Sequence, residues 1–241
     1  MSNTSNLREA FRQANGRSLV GPNVIAKALP YVGGGLILTA LGTFGGIQVL
    51  ATNPGLFMPT FWVALVAELV LFFVARNVAE KGNNTTALPL LATYSLLSGY
   101  TLSGLVYVAL STSGVGMSGI GMAALGCGVT FIAARQIGSN LSDEDGIALT
   151  KTIGLGMIAL IVVLVGQLIF AVFGGQTPQF LEIAISAVGV LLFVGAAVVD
   201  FYILPRTYKD EQYLPAALSM YLTYINLFIF ILRLLIAINR D

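Results

Sequence analysis

The sequence predicts an all-α integral membrane protein, a bundle of seven transmembrane helices. Three observations carry that prediction. Of 241 residues, 56% are hydrophobic and only 10% charged, with mean hydropathy +0.87, whereas soluble domains carry about 25% charged residues. Several apolar runs reach the roughly 20 residues needed to cross a hydrocarbon core about 30 Å thick. Finally, Lys and Arg are plentiful in every second connection and missing from the others, the pattern left by basic loops that stay in the cytoplasm.

In chain order, the first element is a polar, basic segment over residues 1–30 without the apolar core and small-residue cleavage site of a secretory signal. It is expected to be a retained cytoplasmic tail. Within it, SNLREAFRQAN could start a short helix capped by Ser5, with Leu7 and Phe11 on one side. A solvated tail and an interfacial or partner-binding helix are both open readings. The membrane domain, 31–241, then holds apolar spans at about 31–52, 57–77, 86–111, 115–137, 152–174, 179–203 and 213–238.

The connections after spans one, three and five (ATNPG, STSG, GGQTPQ) contain no Lys or Arg. Those after spans two, four and six contain Arg76 and Lys81, Arg135 and Lys151, and Arg206 and Lys209. With Arg8, Arg12, Arg17 and Lys27 of the tail, ten of the twelve basic residues fall on one side of a seven-span chain. This predicts a cytoplasmic amino terminus and a carboxyl terminus outside. Six spans would require one run, most readily the last, to become a re-entrant hairpin.

Composition also removes whole classes of function. A net charge of +1 and no basic stripe interleaved with aromatics argue against nucleic-acid binding. With no histidine and one cysteine, Cys127, the chain lacks ligands for zinc, haem or iron–sulfur centres, and an intrachain disulfide is impossible. No cofactor is expected. The glycine-rich stretches YVGGGLILTALGTFGG and GVGMSGIGMAALGCG read as close helix packing, because neither has the lysine or preceding strand of a phosphate loop. The last span has no lysine for a retinal Schiff base, and a serine protease would lack its histidine. A pair of catalytic aspartates sharing a proton is disfavoured because the two carboxylates inside the membrane sit at different depths. The expectation is therefore not an enzyme.

Those two carboxylates are Glu68 and Asp200; the other acids fall in the tail, in loops or near span ends. Glu68 lies near the middle of span two, with Arg76 two turns and about 12 Å closer to the cytoplasm. Asp200 lies near the inner end of span six, at a depth similar to Arg76. Charges at such depths face the bundle interior and find partners, so an Arg76–Asp200 ion pair closing the cytoplasmic mouth is expected. The other reading has Arg76 snorkelling to headgroups and Asp200 wetted by the loop. Glu68 either is a neutral structural group or lines a cation or proton route. Its candidate neighbours by depth are Thr93, Tyr94 and Ser98 in span three and Thr223, Tyr224 and Asn226 in span seven. Arg233, a turn from the outer end, is expected to snorkel.

The last third of the chain resembles the Bax inhibitor-1 (transmembrane Bax inhibitor motif) family. The resemblance rests on LEIAISAVGVLLFVGAAVVDFYIL, a loop ending DEQYLP, and AALSMYLTYINLFIFILRLL. Its most specific part is the run Ser219, Tyr221, Leu222, Asn226, Leu227, Phe228, Leu232 and Arg233. It extends more weakly through TYSLLSGYTLSGLVY and LGCGVTFIAARQIG, covering about residues 30–240.

The resemblance implies a seven-helix fold with a central last helix. Members are associated with a pH-sensitive calcium leak, whereas the bacterial YccA branch modulates a membrane-anchored AAA protease in membrane-protein quality control. Leak-type members carry one aspartate in span six, a second in span seven, and a span-two arginine as latch. Asp200 matches the first and Arg76 the latch, but Thr223 stands where the second aspartate is expected. The usual Asp-Thr-Gln reads Asp200, Phe201, Tyr202. Two carboxylates in one site titrate as a pair; threonine can hydrogen-bond but not titrate, which places this chain nearer the YccA branch.

Two functional expectations follow. One is a cation leak, for calcium or protons, with Glu68, Asp200, Thr223 and Asn226 along it, Arg76 as gate, and the two carboxylates as transient cation contacts rather than a firm metal site. The other is a non-conducting modulator of a membrane protease, with residues 1–25 and the inner loops making contact. Either sits in a lipid bilayer. Short cytoplasmic loops fit a prokaryotic plasma membrane, with an internal membrane as the other setting.

Overall fold

The computed structural model describes residues 19–240. The proposed tail helix beginning at Ser5, and most of the tail expected to contact a partner, lie outside the described residues. Among those described, all regular structure is α-helical: α1 (Val24–Thr52), α2 (Pro54–Glu80), α3 (Asn84–Ser111), α4 (Gly116–Gly138), α5 (Asp143–Val172), α6 (Gln179–Thr207) and α7 (Tyr213–Ile238). Six of the seven are long and apolar enough to cross a membrane; α3 is the exception. It has no charged residue, but its Thr, Ser and Tyr side chains lower its apolarity. The reason lies in packing: Ser95, Ser98 and Ser103 are buried against protein. Large apolar side chains such as Ile132, Leu155 and Phe173 stand on the outer surface of the bundle, where hydrocarbon is their natural surrounding.

The last helix is central. α7 is the most enclosed of the six apolar helices and α5 the least, and α7 packs on α1, α3, α4 and α6. Its amino-terminal half builds the main apolar cluster, where Ala216, Ala217, Met220 and Ile225 meet Val24, Ala28 and Val32 of α1 and Ala197, Phe201 and Leu204 of α6.

Two helices begin earlier than apolar length suggests. α5 starts at Asp143 rather than near 152 because Ser142 caps it: the hydroxyl accepts from the Asp145 amide at 3.1 Å and donates to the Asp145 carboxylate at 2.6 Å. Asp143, Glu144 and Asp145 thus occupy a first helical turn, where negative charge suits the helix dipole, rather than a loop. α1 starts at Val24 rather than near 31. The chain before it is fastened to the α6–α7 turn. The amides of Val20 and Gly21 donate to the Pro205 carbonyl at 2.8 and 3.0 Å. The Asn23 amide and side chain donate to the Asp210 carboxylate at 2.9 and 3.0 Å, and Lys27 lies 3.9 Å from it. The Asn23 side-chain hydrogen bond, with help from its amide and Lys27, holds the Asp210 carboxyl below its ordinary value of 3.8.

The tightest helix contact is between α1 and α3. A Cβ on Gly42 would collide with the Leu96 carbonyl and one on Gly99 with the Thr39 carbonyl. Only glycine lets the backbones meet so closely. Thr39 and Thr43 bridge that contact, donating to the carbonyls of Ser95 and Gly99 at 3.1 and 3.0 Å.

Candidate functional site

α6 and α7 form an antiparallel hairpin, so residues 19 apart in sequence come face to face across it. Ser219 and Thr223, one helical turn apart, point from α7 at the carboxylate of Asp200. Ser219 Oγ donates to Oδ1 at 2.8 Å and Thr223 Oγ1 to Oδ2 at 2.6 Å. Asp200 is 6% exposed and Thr223 7%, within the apolar cluster of α1, α6 and α7. Each carboxylate oxygen therefore has a donor, and the donors are neutral. Among the described residues no Lys or Arg forms an ion pair with Asp200.

Arg76 corrects the expected geometry. Its guanidinium pairs with Glu80 on its own helix, Nε to Oε1 at 2.8 Å, with both side chains well exposed. The Arg76–Asp200 pair is not formed. Glu80 sits one turn further along the same face, where an i,i+4 partner is reached without crossing the bundle, while both Asp200 oxygens are engaged by α7. Tyr208, just beyond α6, lies within electrostatic range of Glu80, Arg76 and Asp200. Burial first, then the two acids, push its phenol above the ordinary range, with Arg76 pulling the other way, so it remains neutral and uncharged at this end of the bundle.

Glu68 has a different set of partners. Thr101 Oγ1 donates to its Oε2 at 2.8 Å, and the Ser98 hydroxyl also faces the carboxylate. Tyr94 and Tyr221 lie within its electrostatic reach and meet edge to face, their ring centroids 6.0 Å apart. Tyr221 OH and Thr39 Oγ1 share a hydrogen bond at 2.6 Å. The hydroxyls thus continue from Glu68 on α2, through α3 and α7, to α1.

Of the neighbours proposed for Glu68, Ser98 and Tyr94 are present. Thr93 instead bonds back to Pro89, Tyr224 donates to the Ala124 carbonyl at 3.1 Å, and Asn226 donates to Leu222 at 2.8 Å. Thr223 belongs to Asp200. Depth alone could not separate these, because α2 lies mainly along α3. The sequence reading passed over Thr101 and gave Ser219 no site role. Ser219 had a signal, since hydroxyls at 219 and 223 share one helix face with a four-residue spacing.

α7 therefore separates two carboxylate sites. Ser219 and Thr223 address Asp200 from one face, while Tyr221, between them in sequence, turns to the Glu68 cluster from another. Neither site has the donor set of a structural metal centre: among the described residues there is no group of three His, Cys, Asp or Glu side chains.

The model of the family described as inhibitor of apoptosis-promoting Bax1 matches residues 21–241. The chain is 32% identical over 195 residues to an uncharacterized membrane protein of Streptococcus pyogenes serotype M1, covering 78% of this chain and 77% of that one. It is 28% identical over 221 residues to an uncharacterized protein of Deinococcus radiodurans, covering 87% and 88%. Protein lifeguard 4 of Mus musculus is 36% identical over 62 residues, 26% of each chain.

Proposed function

The chain belongs to the Bax inhibitor-1 family, and we propose that it is a multi-pass protein of a bacterial plasma membrane that leaks cations, calcium or protons, past Asp200 and Glu68. The observation that carries this reading is that both carboxylates sit among hydroxyls in the bundle and, among the described residues, have no ion-pair partner. An intramembrane acid is costly, and one that no Lys or Arg neutralises is suited to act as a proton carrier or a cation contact. Hydroxyl oxygens suit both roles: they exchange hydrogen bonds with a carboxylate and offer neutral oxygen ligands to a passing hard cation. Arg76, held by Glu80, acts at the mouth through its charge rather than as a direct latch on Asp200. Thr223 keeps Asp200 hydrogen-bonded where a second carboxylate would make a titrating pair, so the pH response of this chain differs from that of a two-aspartate member.

The test is flux from liposomes holding the purified full chain, with calcium and proton indicators inside. Faster dissipation of either gradient than in empty liposomes supports the leak. Rates equal to empty liposomes overturn it and leave the protease-modulator reading, which then requires co-purification of a membrane protease that is lost on deleting residues 1–25.

A further inference from the structure

At the end of the bundle where α7 terminates, opposite the α6–α7 turn, α3, α6 and α7 enclose a cavity of about 210 Å³. It takes no part in either carboxylate site. Its polar wall is Thr112, Glu182, Ser186, Arg233 and Arg240, and Leu105 and Ile236 form the apolar side. Arg240 is matched by Glu182 at 3.2 Å. Arg233 has a neutral contact, Gln167 Oε1 at 3.5 Å, and lies over the Phe230 ring at 5.7 Å. Two guanidiniums thus face one carboxylate. The second observation is Ser186: it is 1% exposed, lines the same cavity, and its hydroxyl has no hydrogen-bond partner. A buried hydroxyl without a partner is costly, and this one opens onto the space beside an under-neutralised arginine.

We propose that this cavity binds a phosphate group, with Arg233 and Arg240 as charged donors and Ser186 as the hydroxyl donor. Guanidinium forks match phosphate oxygens in geometry and charge. Glu182 orients Arg240 and leaves one positive charge in excess. Two sources present that chemistry, a phospholipid phosphodiester and free phosphate. The apolar wall, and Val108 beside it at 48% exposure, suit the glycerol and upper acyl carbons of a lipid. The inference stands whether or not the bundle conducts.

The test is the thermal unfolding midpoint of the full chain in detergent, titrated separately with sodium phosphate at constant ionic strength, dihexanoyl phosphatidylglycerol and phosphate-free dihexanoylglycerol. The expected result is a saturable rise with a phosphate source and none with dihexanoylglycerol. A response to phosphatidylglycerol alone identifies a lipid site, and a response to inorganic phosphate identifies a free-anion site. Arg233→Gln should abolish the rise. Ser186→Ala, which removes a group that bonds nothing in the fold, should weaken binding about tenfold. Arg76→Gln, at the other end of the bundle, should respond like wild type. No rise in wild type with either phosphate source overturns the site, as does a Ser186→Ala variant that binds as tightly as wild type.

Discussion

Asp200 depends on two α7 hydroxyls, and the cost of removing one can be stated. Thr223→Val keeps shape and volume but leaves Oδ2 without its 2.6 Å donor. A buried acceptor stripped of its partner costs about 1–3 kcal/mol, so the thermal midpoint should fall, while Thr223→Ser should recover most of the loss. Equal midpoints for Thr223→Val and wild type would show that the bond contributes nothing. At this scale the sequence was informative about which residues are unusual and poor about which of them meet. A lone aspartate in VGAAVVDFYIL and a glutamate in the middle of an apolar span announce themselves by their cost in lipid. Their partners are decided by which face of a neighbouring helix is presented, and that depends on how all seven helices pack. Hence Arg76 could be placed at the depth of Asp200 yet be drawn to Glu80 on its own helix, and Thr101 was overlooked beside Ser98.

Among the elements, the α1–α3 contact and the fastening of α1 to the α6–α7 turn make separate predictions. Gly99→Ala forces a Cβ into the Thr39 carbonyl, where relief requires moving a whole helix. The expected loss is about 1–3 kcal/mol, read as a lower midpoint, whereas Gly33→Ala, with nothing near its added carbon, should leave stability unchanged or slightly raised. Similar falls for both would contradict the close-contact account. The Asp210 fastening responds to pH with a definite sign. Because its folded carboxyl is held below the ordinary 3.8, its contribution is present above that value and is lost as pH falls through the lowered one. The protection of the Asn23 amide against hydrogen exchange, taken relative to its intrinsic rate at each pH, should therefore fall on acidification below about pH 4. In Asp210→Asn that acid-dependent step should vanish. Helix ends were legible where chemistry marks them and missed where only apolar length was followed. The Ser142-to-Asp145 cap was available in the sequence as a hydroxyl three residues ahead of a carboxylate, but an apolar window sees only charge there. The start of α1 was not available, because the residues that hold it, Pro205 and Asp210, lie far along the chain.

For the whole molecule, the alternation of basic connections predicts that the α6–α7 turn faces the cytoplasm and the α5–α6 turn the outside. In a Cys127→Ser background, a cysteine at Gln176 should react with an impermeant maleimide on intact cells, and one at Lys209 only after permeabilisation. The reverse pattern would invert the topology. The helical architecture was legible because lipid imposes so few solutions on a backbone, whereas the central place of α7 was implied only by the family resemblance. The absence of charge is what made α3 read as a span in the sequence, whereas its buried hydroxyls leave it outside the six helices apolar enough to cross a membrane. The central claim concerns the unneutralised carboxylate at the α6–α7 hairpin, and calcium flux through Asp200→Asn in liposomes tests it most directly, beside wild type and Arg76→Gln. The account predicts that Asp200→Asn falls to the rate of empty liposomes while Arg76→Gln still leaks. An Asp200→Asn protein that folds and leaks as fast as wild type would contradict it.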